Sequence, residues 1–391
     1  MMEICNYKLC TGCSACINIC PMSCIEFEKS TDLWTYPQID TERCIKCGKC
    51  IEVCQGNTDK IDIDGRLESP KVFGVILTNQ KNLLNSTSGG AFFAIASAVL
   101  KQDGVVYGAA MIDFHTKHIR VTSYDKLRML QGSKYVQSEM GHIYSLVKKD
   151  LKDNKKVLFS GTPCQIEGLH RFLDRKYKNL ITCDLLCKGV PSPKLFDKYI
   201  EFLQKRHGGN ISDFNFRDKS LGYILLSTVN IKKKKIFLHG IEDSYVKAVG
   251  AGYVRESCFA CKFTSEMRVG DISLGDFWHI GEKEKIEKNV NNGCSLVICN
   301  TVQGIGILED IKEFAYVEER SWDEARRSQS SALTHPIKKP LDYEQFNLDA
   351  VCNDWKMISK KYLRSKTLIG MMRDMLPKTL ERKIAETLKR K

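Results

Sequence analysis

The chain has 391 residues, 43% of them apolar, enough for one large core or two and too long for a small stapled module. Its net charge of +13 is uneven: residues 356–391 hold twelve Lys or Arg against three acids, and the rest is close to balanced. With no basic motif on the body, a nucleic-acid protein is excluded. No apolar run reaches the roughly 18 residues that a membrane helix needs. The opening "MMEICNYKLC" lacks the basic and apolar regions of a signal peptide. A cytoplasmic protein is therefore expected, and in that reducing compartment its 18 cysteines serve as metal ligands rather than disulfides.

In chain order, the first element is a pair of cysteine arms. One reads Cys10-x2-Cys13-x2-Cys16-x3-Cys20-Pro21, the other Cys44-x2-Cys47-x2-Cys50-x3-Cys54. This is the spacing of two-cluster bacterial ferredoxins, in which the fourth cysteine of each arm serves the other cluster. Cys10, Cys13, Cys16 and Cys54 are expected to hold one [4Fe–4S] cluster, and Cys44, Cys47, Cys50 and Cys20 a second. Structural zinc is a poor match to two such runs. Gln55 stands where proline is usual, which weakens the turn and not the ligand set. Cys5 and Cys24 fall outside the pattern and read as small apolar fillers.

Residues 58–70 read as a polar linker, after which strands and helices alternate. Strands are expected at 71–79, 104–111, 118–124, 156–161 and 180–187, and helices at 88–102, 142–153, 163–173 and 192–206. Residues 223–240 read as a hairpin whose lysine run is a solvated turn. The alternation predicts an α/β core.

Four features in this region bear on chemistry. "STSGGAFFAIA" (86–96) puts Ser-Gly-Gly at a helix start, which suits either a phosphate or flavin diphosphate or a plain capped glycine turn. "GTPCQ" (161–165) puts Cys164 at a strand-to-helix turn, where the helix N-terminus favours thiolate; it reads as a nucleophile, a ligand or an inert core thiol. "CDLLCKGVPSP" (183–193) places Cys187 at a strand's C-terminal edge, where α/β sheets put ligands, and Cys183 inside the strand as core. "CFACKF" (258–263) gives the pair Cys258 and Cys261, which with Cys164 and Cys187 makes four thiolates. A third [4Fe–4S] cluster, a structural zinc and a dithiol pair all remain open for them. Cys294, Cys299 and Cys352 lack partners at ligand spacing and read as packing.

Taken with "GSKYVQS" (132–138), "NFRDKSLGY" (215–223) and "GDISLGDFW" (270–278), these motifs follow an order that resembles the coenzyme F420 hydrogenase/dehydrogenase beta-subunit family over roughly residues 1–300. The resemblance implies a flavoprotein with iron–sulfur clusters that moves electrons between FAD and a deazaflavin, ferredoxin or a reducible small substrate. Bacterial relatives also resemble proteins found with polysaccharide-synthesis enzymes. By position, Ser88, Gly89, Gly90, Lys134 and Tyr135 would line the FAD, with Lys134 placed to stabilise the reduced flavin's negative charge. Cys164, Cys187, Cys258 and Cys261 would hold the third cluster. Lys188 departs from the family's frequent Cys-His-Gly, and the likeness fades after residue 300.

The expectation is thus an α+β protein. A two-[4Fe–4S] ferredoxin domain (1–60) precedes an α/β flavin-binding catalytic domain (70–305) and a basic helical C-terminal extension (306–391). The expected activity is that of an iron–sulfur flavoprotein oxidoreductase using FAD, with coenzyme F420, ferredoxin or a small molecule as redox partner. The alternative is a non-enzymatic ferredoxin-type electron-transfer subunit of a larger complex. The mixed basic and apolar tail reads as a candidate for peripheral membrane contact or partner binding.

Overall fold

A computed structural model describes residues 3–27, 32–61, 64–173, 175–364 and 380. The basic tail, apart from residues 356–364 and 380, lies outside the described residues, and with it the expectation of membrane contact. Among the described residues, no helix is long and apolar enough to cross a membrane.

The N-terminal module contains two short helices, α1 (Ala15–Ile19) and α2 (Lys49–Glu52), and an antiparallel pair, β1 (Ile25–Phe27) and β2 (Pro37–Ile39). The two cysteine arms repeat one backbone shape. In each, the residues on both sides of the second cysteine have positive φ: Gly12 (70°) and Ser14 (65°) around Cys13, Lys46 (54°) and Gly48 (76°) around Cys47. Glycine takes this conformation freely, whereas Ser14 and Lys46 hold it at a cost on the order of 1 kcal/mol each. Alternating left-handed residues turn successive N–H groups to one side, a concavity suited to an anionic cluster.

The body continues with β3 (Lys71–Leu77), α3 (Gln80–Asn85), α4 (Ala91–Lys101), β4 (Val105–Ile112), β5 (His115–Val121), α5 (Tyr124–Leu127), α6 (Ile143–Lys152), β6 (Val157–Gly161), α7 (Pro163–Leu173), β7 (Leu180–Leu185) and α8 (Pro193–His207). Next come β8 (Ile211–Asn215), β9 (Thr228–Ile231), β10 (Lys234–Phe237), α9 (Ser244–Ala251), β11 (Ile272–Asp276), β12 (Ser295–Cys299), α10 (Val302–Asp310), β13 (Ala315–Arg320), α11 (Trp322–Thr334), α12 (Tyr343–Cys352) and α13 (Trp355–Tyr362).

Eight strands form the main sheet in the order β13-β3-β12-β11-β7-β6-β4-β5. The central strands β11, β7, β6 and β4 run parallel, and antiparallel pairings flank them. β6 (VLFSG) is buried at every position, as a parallel strand covered on both faces requires. The expected helix at residue 88 starts instead at Ala91. Gly90 is left-handed (φ 86°), and a Cβ on Gly89 would lie 2.0 Å from the Val75 carbonyl oxygen, so Ser88, Gly89 and Gly90 form a loop pressed onto the sheet. Residue 306 does not begin a separate body, since β13 pairs with β3 along its whole length. The expected hairpin is confined to β9 and β10, with its turn at Lys232 and Lys233.

A three-stranded sheet, β10-β9-β8, packs with α8, α9, α12 and α13 around an aromatic core. Trp355, fully buried, stacks near Tyr199 and Tyr245 and donates from Nε1 to the Ser244 hydroxyl at 2.9 Å. Trp355→Ala is predicted to cost about 3–5 kcal/mol. Thermal unfolding under anaerobic conditions should show a clearly lowered midpoint.

Candidate functional site: two thiol-lined cavities, a third thiol cluster and a cationic aromatic pole

The N-terminal module encloses two cavities. Cys10, Cys13, Cys16 and Cys54 line the inner one, together with Gly12, Ser14 and Gln55. Cys20, Cys44, Cys47 and Cys50 line the outer one. Cys47 is exposed and Cys44 partly so, whereas Cys10, Cys13 and Cys16 are buried, so the outer cavity faces solvent and the inner one faces the body. A fifth cysteine borders each cavity: Cys5 on the inner one, and Cys24 on the outer one, its Sγ 3.4 Å from that of Cys20.

Soft thiols in fours around a cavity, with backbone N–H groups aimed at sulfur, fit an iron–sulfur cluster. The N–H of Gly12 serves Cys10, that of Ala15 serves Cys13, and that of Gly56 serves Cys54. In the outer cavity the N–H of Lys46 approaches Cys44 Sγ at 3.4 Å. The Cys10 thiol is pushed down to about 6, first by its hydrogen bond with Cys5 and also by the Arg255 cation. Burial and the neighbouring thiols push the Cys16 thiol up. Among the described residues, no three His, Cys, Asp or Glu side chains close around a single metal ion.

Arg255, Gln55, Lys262 and Gln137 tie the inner cavity to the body, Gln137 donating from Nε2 to the Thr11 carbonyl at 3.0 Å. Arg255, 2% exposed, donates from Nε to the Cys10 carbonyl at 2.6 Å and from Nη2 to the Thr35 carbonyl at 3.0 Å; its Nη2 lies 3.6 Å from Cys10 Sγ. Gln55 donates from Nε2 to Thr11 Oγ1 at 3.0 Å and to the Cys164 carbonyl at 2.6 Å. Lys262 donates to the carbonyls of Gln55 and Thr58 at 3.0 and 2.7 Å. The departure from proline at residue 55 therefore supplies the link between the inner cavity and the first turn of α7.

That turn carries Cys164, the second residue of α7. Cys187 comes after β7, and Cys258 and Cys261 flank the end of a 3-10 turn at Glu256–Ala260. The structure brings these four together, close enough for their charges to raise one another's pKa. Burial is the larger cause and pushes Cys187 up to about 11, Cys258 up to about 12 and Cys164 well above its ordinary value. At Cys164 burial is the larger cause, opposed by the hydrogen bond with Thr162 Oγ1. Four such thiols stay deprotonated together only around positive charge, which a metal centre would supply. Cys183, Cys294 and Cys299 are buried in the sheet's core, and Cys352 is exposed.

A second pole lies beside this cluster on the same edge of the sheet. β11 pairs with β7 through Leu274 and Leu185, and ends at Asp276. Asp276 accepts from Arg217 Nη1 at 2.9 Å and from the Tyr223 hydroxyl at 2.8 Å. Arg217 Nη1 also donates to the Tyr135 hydroxyl at 3.1 Å, and the guanidinium lies 5.3 Å from the Trp278 ring. Tyr223 and Trp278 stack at 4.6 Å, and the Tyr223 hydroxyl meets Ser88 Oγ at 3.0 Å. Lys219 donates to the carbonyls of Leu83, Ser88 and Asn292, and burial pushes its pKa down to about 7.

The flavin-site candidates thus split in role. Ser88 and Tyr135 touch this pole, through Tyr223 and Arg217, while Gly89 and Gly90 follow Ser88 in the loop against the sheet; the Ser133 N–H donates to Thr87 Oγ1 at 2.7 Å and joins the two loops. Lys134 turns into its own loop, donating to the carbonyls of Met129 and Gln131 at 3.1 and 2.8 Å, with its pKa lowered by burial to about 7. Arg217, Lys219, Tyr223, Asp276 and Trp278 were not singled out from the sequence. All five sit in the family-like motifs "NFRDKSLGY" and "GDISLGDFW", but only the fold brings the two motifs face to face.

Residues 154–325 match the family defined by the C terminus of the coenzyme F420 hydrogenase/dehydrogenase beta subunit, and residues 9–57 match the 4Fe-4S dicluster domain. The chain is an iron–sulfur redox protein. Within that class, residues 154–325 are similar to the C-terminal part of the coenzyme F420 hydrogenase/dehydrogenase beta subunit, behind a dicluster domain at residues 9–57. An uncharacterized protein of Methanocaldococcus jannaschii is 24% identical over 206 residues, 44% of this chain and 54% of that protein. The chain therefore spans about half the length of that relative. A chain of the F420-reducing [NiFe] hydrogenase complex from Methanosarcina barkeri is similar with a TM-score of 0.48 at 16% identity, covering 70% of this chain and 91% of that one.

The closeness of module and body generates a prediction. A Cβ on Gly168 of α7 would lie 2.9 Å from Cys13 Sγ. Gly168→Ala should cost about 1–3 kcal/mol and loosen the docked module. Thermal unfolding and iron retained after gel filtration both report it. Gly306→Ala, where an added Cβ meets nothing within 4 Å, should leave both unchanged or slightly improved.

Proposed function

We propose that the chain is a cytoplasmic iron–sulfur flavoprotein oxidoreductase, carrying electrons between a one-electron partner such as ferredoxin and a two-electron acceptor or donor. Coenzyme F420 or a reducible small molecule is the class of substrate. The observation that carries this reading is the succession of sites: a solvent-facing thiol cavity, a buried one, a third thiol cluster linked to it through Gln55, and then a cationic aromatic pole.

Cys20, Cys44, Cys47 and Cys50 would hold the outer cluster, Cys10, Cys13, Cys16 and Cys54 the inner one, and Cys164, Cys187, Cys258 and Cys261 the third. FAD would sit against Ser88, Gly89, Gly90, the loop of Lys134 and Tyr135, and the Arg217 pole. Bound clusters supply one-electron transfer, and a bound flavin joins single electrons to two-electron chemistry. The chain's own residues set position and charge. Arg255 places a buried cation beside Cys10, which favours the more reduced state of whatever the inner cavity holds. Gln55 fixes the spacing between the inner cavity and Cys164. The stacked Tyr223 and Trp278 offer an aromatic wall at the pole.

Protein purified without oxygen should contain about twelve irons per chain, as three [4Fe–4S] clusters require, and one flavin. Cys258→Ser should lower the iron to about eight with zinc absent throughout. Eight irons with one zinc in the unaltered chain would overturn the third cluster. No flavin after anaerobic reconstitution would overturn the enzyme and leave an electron-transfer subunit.

A further inference from the structure

Buried basic groups are concentrated at the pole beside the third thiol cluster. Arg217 is 4% exposed and Lys219 5%, and both are held in the interior. Asp276 is the carboxylate that pairs with Arg217. Asp218, next in the chain, is committed elsewhere: it accepts from Lys235 at 2.6 Å, from the Ser220 N–H at 2.8 Å and from Thr228 Oγ1 at 3.1 Å. Among the described residues, Lys219 donates to carbonyl oxygens and to no carboxylate. Asp276 is thus the carboxylate that faces Arg217, and Lys219 is held by carbonyl oxygens alone.

The guanidinium shows where a ligand would bind. Arg217 Nη1 is used by Asp276 and Tyr135, but Nε and Nη2 are buried without a hydrogen-bond partner among the described residues. These two nitrogens form one edge of the planar fork, the geometry that takes adjacent acceptor atoms in a bidentate grip. Trp278 and Tyr223 lie 5.3 and 5.6 Å from the guanidinium carbon, so the fork is flanked by aromatic rings. The neighbouring strand fixes which end of the site this is. Asp276, which holds Arg217, lies two residues past Leu274, the partner of Leu185 on β7, and Cys187 lies two residues past Leu185. Asp276 and the Arg217 it holds thus lie at the end of the sheet edge that also carries Cys187 of the third thiol cluster.

We infer that Arg217 is the residue that receives the negative charge which reduction places on the bound flavin's ring, gripping the adjacent ring nitrogen and carbonyl oxygen with Nε and Nη2. The inference rests on the flavin reading of the proposed function. It moves to Arg217 the role that the family resemblance gives to Lys134, whose ammonium is engaged by the carbonyls of Met129 and Gln131. Lys219 acts as a positioning residue: it clamps the Ser88 carbonyl and keeps the loop of Ser88, Gly89 and Gly90 against the pole.

The test is anaerobic spectroelectrochemistry on the full-length protein with its clusters and flavin in place. The expected result for Arg217→Met is normal binding of oxidised flavin and a lower two-electron flavin potential. Arg217→Lys, which keeps the charge and loses the fork, should fall between Arg217→Met and the unaltered protein. Lys134→Met should leave the potential near its original value. An unchanged potential in Arg217→Met overturns the inference, and so does a drop in Lys134→Met of equal size. A folded Arg217→Met that no longer retains oxidised flavin also overturns it, because the cation would then serve binding in both redox states. An unaltered protein that holds no flavin is a different outcome: it contradicts the proposed function itself.

Discussion

The guanidinium of Arg255 is almost wholly buried; it reaches the Cys10 carbonyl, Cys10 Sγ and the Thr35 carbonyl across the boundary between the cysteine module and the body, and Gln137 Oε1 on the body's side. Tyr36 and Trp34 lie against its faces at 4.7 and 5.6 Å. A cation this buried is tolerated because every direction offers an acceptor or a ring. Two carbonyls held by one planar group fix the module's orientation as well as its contact. The rest depends on that orientation. With the module seated, Gln55 reaches the Cys164 carbonyl, Cys13 packs on Gly168, and the inner thiol cavity lies beside the first turn of α7.

The sheet then does the remaining placement. Parallel strands β6, β7 and β11 all end on one edge, and each leads into a chemical group: Cys164 after β6, Cys187 after β7, Asp276 and Trp278 at the end of β11. β3 delivers the Ser88, Gly89 and Gly90 loop toward the same region, and Lys219 fastens it there. This is the usual place for ligands in an open α/β sheet. A thiol cluster and a cationic aromatic pole come to be neighbours because the strands that carry them are neighbours.

Much of the site was legible in the sequence where the chemistry is local. Thiols that share a cavity must recur at short spacing, so the two groups of four, including the exchange of Cys20 and Cys54 between arms, can be read from the cysteines alone. Buried parallel strands leave runs such as "KVLFSG", and helix starts leave Pro163 and Pro193, so the alternation of elements was also readable. The part that was not legible depends on distance along the chain. Arg217 and Asp276 are 59 residues apart, and nothing in either motif says that they pair. Lys134 was nominated through the family resemblance, and that its ammonium donates to carbonyls of its own loop is visible only in the fold. The strand at Ala315–Arg320 lies past residue 300, where the likeness fades, and its Glu318, Glu319 and Arg320 break the apolar run that marks a buried strand.

On the proposed function, electrons pass between a one-electron partner and the flavin by way of the docked module. The most direct measurement is anaerobic stopped-flow reduction by a reduced ferredoxin, comparing the unaltered protein with Cys13→Ser, which lacks a ligand of the inner cavity. Cluster absorbance should bleach before flavin absorbance in the unaltered protein, and flavin reduction should all but stop in Cys13→Ser while the flavin remains bound. Equal rates of flavin reduction in the two proteins would contradict the account.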